Sequence, residues 1–298
     1  EEDVELLMND FDYYWFYHDS LDFLVENEFS DEALAFFHEA LEAVKNGGEV
    51  DYEERIILDS SFTNKDKIHE SYKLLLDKSS IRTDILNDYF SNSLNFTPNL
   101  VYKVGSFDSC NGSSDPNGCT KLTKDSENIV TITIQESYID NNDTPILMLL
   151  KTILHESIHA ALFSAINNQD TNFSDDFHDN FENFSSLNDW QHQMMASEYI
   201  SLISQNLQMV HDECWDGQFI NNYIDNSLFD FNMLYTYLAW SGLGRKDDDG
   251  NYVFDAATDF FEDPTPNTPV NETVNAYNFH INEVNTNSAE NLNNDGCD

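Results

Sequence analysis

The strongest pattern in the chain is a run at residues 145–166, where apolar side chains fall on nearly every side of a helical wheel. Residues 147–150, Ile153, Leu154, residues 160–163 and Ile166 leave no continuous polar face, which predicts a buried helix. Thr144 is placed to cap it, and Pro145 suits its first position. Elsewhere the periodicity is more ordinary. Val4, Leu7, Phe11, Tyr14, Trp15, Leu21 and Leu24 recur near helical spacing. Ser30-Asp31-Glu32 opens a second helix over 34–44, and Gly47-Gly48 closes it. Residues 56–58 and 100–104 read as short strands, and 64–77 and 80–90 as helices. The clearest strand is 129–135, where β-branched residues alternate with Thr. An acidic turn at 140–143 leads into the buried helix. A polar loop at 167–188 precedes a helix at 189–210. Two more segments follow at 221–240 and 256–261, and a tail after Pro264 is expected to wrap the surface.

The buried helix carries His155-Glu156-Ser157-Ile158-His159, an H-E-x-x-H motif. Histidines at i and i+4 share one helix face, so both imidazoles can reach one metal ion. Glu156, beside the first of them, is placed to take a proton from a water activated there. Two histidines and a glutamate are costly to bury without partners, and a metal supplies them. Histidines satisfied by each other or by carbonyls are the plainer alternative. The predicted fold is α+β and mainly helical. It comprises a zincin-like core at 51–298, with a small sheet packed on the HExxH helix, and an acidic helical extension at 1–50.

A catalytic zinc site needs a third protein ligand and an open position. His192, near the start of the next helix, ranks first. Glu198 ranks second and His178, in the acidic loop, third. Six helical steps of about 100° carry Glu198 off His192's face, whereas Tyr199 at i+7 returns to it. Tyr199 is therefore the expected donor to a developing oxyanion, a role that its two-turn distance from His192 strains.

Composition narrows the setting. Lys plus Arg number 13 and Asp plus Glu 56, a formal net charge of −43. Such a surface repels nucleic acid and anionic membranes. Lys151, His155, Glu156 and His159 interrupt the longest apolar stretch, so no membrane insertion is expected. The four cysteines lack C-x-x-C zinc spacing. Cys110 and Cys119 bracket a turn-rich loop that can bring them together, and a bridge from Cys214 to Cys297 would pin the tail. Disulfides imply an oxidising compartment. An extracellular or cell-surface location is therefore expected, with a signal peptide already removed.

Leu154-His-Glu-Ser-Ile-His-Ala160, then Asp189-Trp-Gln-His-Gln-Met-Met-Ala196 and Tyr199, resembles a family of bacterial secreted HExxH zinc metallopeptidases, distantly SprT-like. Ile56-Ile-Leu-Asp-Ser-Ser-Phe62, residues 129–134 and Tyr237-Leu-Ala-Trp-Ser-Gly-Leu243 look like further landmarks of that family. The resemblance covers roughly 55–298 and implies that His155, His159 and His192 bind Zn2+, with Glu156 as the base. The expected function is therefore hydrolysis of a peptide or protein substrate. The strand at 129–135 is expected to be an edge that pairs with an extended peptide. The rivals are a non-catalytic surface or interaction protein with a structural metal, and an effector or toxin that uses the same chemistry on a narrow target.

Overall fold

Short β-branched and aromatic runs assemble into one five-stranded sheet. Its strands are β1 (Glu49–Asp51), β2 (Ile56–Leu58), β3 (Asn99–Gly105), β4 (Gly118–Thr123) and β5 (Ile129–Gln135), in the order β1-β2-β3-β5-β4. The three inner strands are parallel, and each outer strand runs antiparallel to its neighbour. The computed structural model describes residues 14–90, 98–107, 110, 116–123, 129–141, 144–167, 190–214, 231–241, 243, 245–246 and 252–253. The architecture of these residues is α+β and mostly helical. The proposed ligand His178, Cys297, the 167–188 loop beyond Asn167, the 256–261 segment and the tail lie outside them.

The period-two pattern of the strands sorts side chains onto two faces. Leu100, Tyr102, Val104, Val130, Ile132 and Ile134 point into the larger core. Against that face lies α7, the HExxH helix (Ile146–Asn167), preceded by a short helix α6 (Glu136–Asp140) that ends where the expected acidic turn begins. Pro145 O accepts from Met148 N and Leu149 N as α7 begins. After the short α3 (Ser60–Thr63), helix α4 (Asp66–Lys78), the short α5 (Asn87–Phe90) that follows a π-turn at Arg82–Leu86, and α9 (Ile200–Cys214) enclose α7 on its other sides. The helix α10 (Phe231–Trp240) packs on α9. By length and composition alone α7 could cross a membrane, yet it is the central helix of this core.

The opposite face of the sheet is covered from the N-terminal side. Helices α1 (Tyr14–Glu26) and α2 (Asp31–Lys45) bury Phe16, Phe23, Leu24, Phe36, Ala40 and Leu41 together with Ile57 of β2. Half-buried Val101 of β3 packs against the same cluster. As the sequence suggests, Ser30 Oγ accepts from Ala33 N at 3.2 Å, and Asp31 and Glu32 favour the positive end of α2. Helix α2 then ends through Gly47, whose φ of 91° is left-handed backbone. The helices read as an extension thus share a core with the sheet, and β1 straddles the 50/51 boundary drawn from sequence.

The order of the strands corrects one expectation. Strand β5 is not an edge, because Thr131 lies between Val101 of β3 and Lys121 of β4. The edge beside α7 is β4, which has no strand pattern of its own next to the cysteine loop. Cys119 of β4 is bonded to Cys110 across that loop, as expected. The second expected bridge falls outside the described residues at Cys297.

A buried carboxyl sits where β1 turns into β2. Glu54 is 2% exposed, and Arg82 Nη1 lies 3.3 Å from its Oε1. Burial, then the hydrogen bond and negative charge of Asp51, push it from 4.5 up to about 8. A carboxyl held up in the folded state keeps a proton that the unfolded chain has already released. Its contribution is therefore whole below pH 4.5 and is lost as pH rises through about 8. Denaturant titrations at pH 5 and pH 9 are expected to show this decline, and Glu54→Gln to flatten it. Separately, Phe36→Ala is expected to cost about 3–5 kcal/mol in one cooperative transition. Two separable transitions would mean that the helical pair folds apart from the sheet.

Candidate metal centre

Helix α7 brings the two motif histidines onto one face, as the four-residue spacing requires. His155 Nε2 and His159 Nε2 stand 3.1 Å apart. His192 lies in α8 (Trp190–Met194) and places its Nε2 3.1 Å from that of His159. Its ring centroid is 5.4 Å from that of His155 and 4.9 Å from that of His159. One ligand nitrogen from each of the three lies within 4.8 Å of the others. Imidazoles sharing a tetrahedral zinc, with Zn–N of about 2.0–2.1 Å, hold their nitrogens roughly 3.3 Å apart. The three histidines are therefore close enough to hold one metal ion.

Their electrostatics suit that role. Burial, helped by neighbouring His159, keeps His155 well below the ordinary 6.5. Burial and the nearby His192 push His159 down to about 3. Both are neutral with lone pairs available, the form that metals bind. Among the described residues, the outer nitrogens His155 Nδ1 and His159 Nδ1 are buried with no hydrogen-bond partner. A buried imidazole cluster with orphaned nitrogens is costly, and a cation at the facing nitrogens offsets that cost.

Glu156 is 6% exposed and faces β4. Thr120 Oγ1 donates to its Oε2 at 2.6 Å and lies 3.1 Å from its backbone carbonyl. No hydrogen bond reaches Oε1 among the described residues. Burial raises the carboxyl above its ordinary 4.5, while the Thr120 hydrogen bond and the Lys151 charge draw it back. Lys151, about one and a half turns earlier on α7, is buried and held down to about 8, chiefly by desolvation. The motif is fixed to the sheet at one further point. Tyr102 OH of β3 meets Ser157 Oγ at 2.8 Å, and Ser157 Oγ bonds back to Ile153 O.

Glu198 is exposed and is not among the clustered ligands. Tyr199 OH pairs with Tyr89 OH at 3.2 Å, and burial pushes it above the usual phenol range. The expectation for Tyr199 assumed an unbroken α-helix. A π-turn at Met195–Tyr199 intervenes instead, adding a residue and rotating the next turn by about 100° off His192's face. Gly118, Thr120 and Lys151 were missed as site residues. A lone cation inside an apolar helix was a readable signal for Lys151, whereas nothing local marks Thr120. No family model, curated protein or solved structure matches the chain.

One divalent transition metal per chain is expected by elemental analysis after reconstitution and dialysis. His159→Ala should abolish retention and Glu198→Ala should leave it intact. Loss of metal from Glu198→Ala, with His192→Ala still loaded, would move the third ligand to the glutamate.

Proposed function

We propose that the protein is a zinc-dependent metallopeptidase of the zincin type that works at the cell surface or in the extracellular space. The observation that carries this reading is the company kept by the three histidines. A structural metal has no use for Glu156, yet the chain buries that carboxylate on the next residue of the same helix, within the electrostatic reach of His192. The layout around α7 adds support: a small mixed sheet lies over the motif helix, with an antiparallel strand at its outer edge. The Cys110–Cys119 disulfide fits an oxidising environment.

His155, His159 and His192 would hold the ion. Zinc bound there would acidify a water and polarise a peptide carbonyl. Glu156 accepts one proton from the attacking water at Oε1, the oxygen that Thr120 does not hold. It then delivers a proton to the departing amine as the C–N bond breaks, while the water's oxygen stays on the acyl carbon. Burial favours this cycle, because a desolvated carboxylate takes a proton more readily than one in water. Strand β4 offers a row of backbone donors and acceptors to an extended substrate segment.

The test compares zinc-loaded wild type with Glu156→Gln on an unfolded protein substrate, product ends being identified by mass spectrometry. The expected result is a rate loss of about 10²–10⁴ with zinc retained. Zinc-loaded wild type that cleaves nothing, but melts at lower temperature when chelated, would favour the structural-metal reading instead.

A further inference from the structure

We propose that Thr120 is the positioning residue for Glu156, and that edge strand β4 holds the general base in place. The inference rests on the metallopeptidase reading above.

A glutamate side chain has several rotatable bonds, and a base that samples many rotamers spends little time aimed at its target. Helix α7 fixes the Cα of Glu156 but not its carboxylate. The carboxylate is fixed from across the sheet. Thr120 Oγ1 donates to Oε2 at 2.6 Å, a short bond of the charge-assisted kind. Two residues along, on the same face of β4, Gly118 brings bare backbone against the same side chain. A methyl group there would lie 2.7 Å from Glu156 Cγ and 2.8 Å from Oε1. The side chain is thus confined between a hydroxyl and a glycine. Among the described residues no hydrogen bond reaches Oε1.

Thr120 Oγ1 lies within reach of both Oε2 and the Glu156 carbonyl oxygen, so one hydroxyl ties the side chain and the backbone of the base to β4.

The experiment uses the full, zinc-loaded chain. Thr120→Val keeps the shape and removes the hydroxyl, and Thr120→Ala removes it without the second methyl should valine strain the strand. Thr120→Ser restores it. In the hydroxyl-free variants, kcat on an unfolded protein substrate is expected to fall by about 10–100-fold, the value of one charge-assisted hydrogen bond. KM should stay within about twofold, since no substrate contact is removed. Thr120→Ser should recover most of kcat. Crystal structures give a readout that needs no activity: the Glu156 carboxylate should leave its place beside residue 120 in Thr120→Val or Thr120→Ala and keep it in Thr120→Ser. An unmoved carboxylate, an unchanged kcat, or a loss that appears in KM alone would overturn the proposal. Should zinc-loaded wild type cleave nothing, the metallopeptidase reading fails by itself, and the position of the carboxylate still decides the role of Thr120.

Discussion

The structure depends on burying a helix that is not wholly apolar. Around α7 the sheet, α4 and α9 close off solvent, and each large apolar side chain so buried contributes about 1.5–3 kcal/mol. The same enclosure holds two imidazoles, a carboxylate and an ammonium group away from water. Their proton affinities move as burial dictates, with the histidines and Lys151 pushed down and Glu156 pushed up. Each shift favours the neutral form, and neutral imidazoles are what a metal ion binds. The core therefore prepares the site by the same exclusion of water that stabilises the fold.

Much of this was legible in the chain because the signals were local. Periodicity located α7, the capping sequence at Ser30 began α2, and the alternation of Ile and Thr gave β5. The i, i+4 spacing put His155 and His159 together, and helical placement chose His192 over Glu198. What escaped depended on distant contacts or on a break in regularity. Strand β4 is short and carries Gly and Cys, and its identity as a strand comes from pairing with β5. Thr120 becomes a site residue only because that pairing sets it over Glu156. The pairing of Tyr199 with Tyr89 goes with a π-turn that no residue pattern announces. The N-terminal helices read as an extension because sequence shows their apolar faces without showing that Ile57 and Val101 complete them.

The outer strand has a further consequence for how copies of this protein behave toward one another. Among the described residues β4 pairs only with β5, and no strand lies on its other side. Open edges invite pairing with any extended chain, including an identical edge on a second molecule, which is the usual route to aggregation. Lys121 is an exposed cation within that strand, a common device for discouraging such contacts. The formal charge of −43 acts more broadly: two such bodies repel long before their edges meet, and salt weakens that repulsion. The heavy excess of acid thus acts as colloidal protection for the sheet's outer strand.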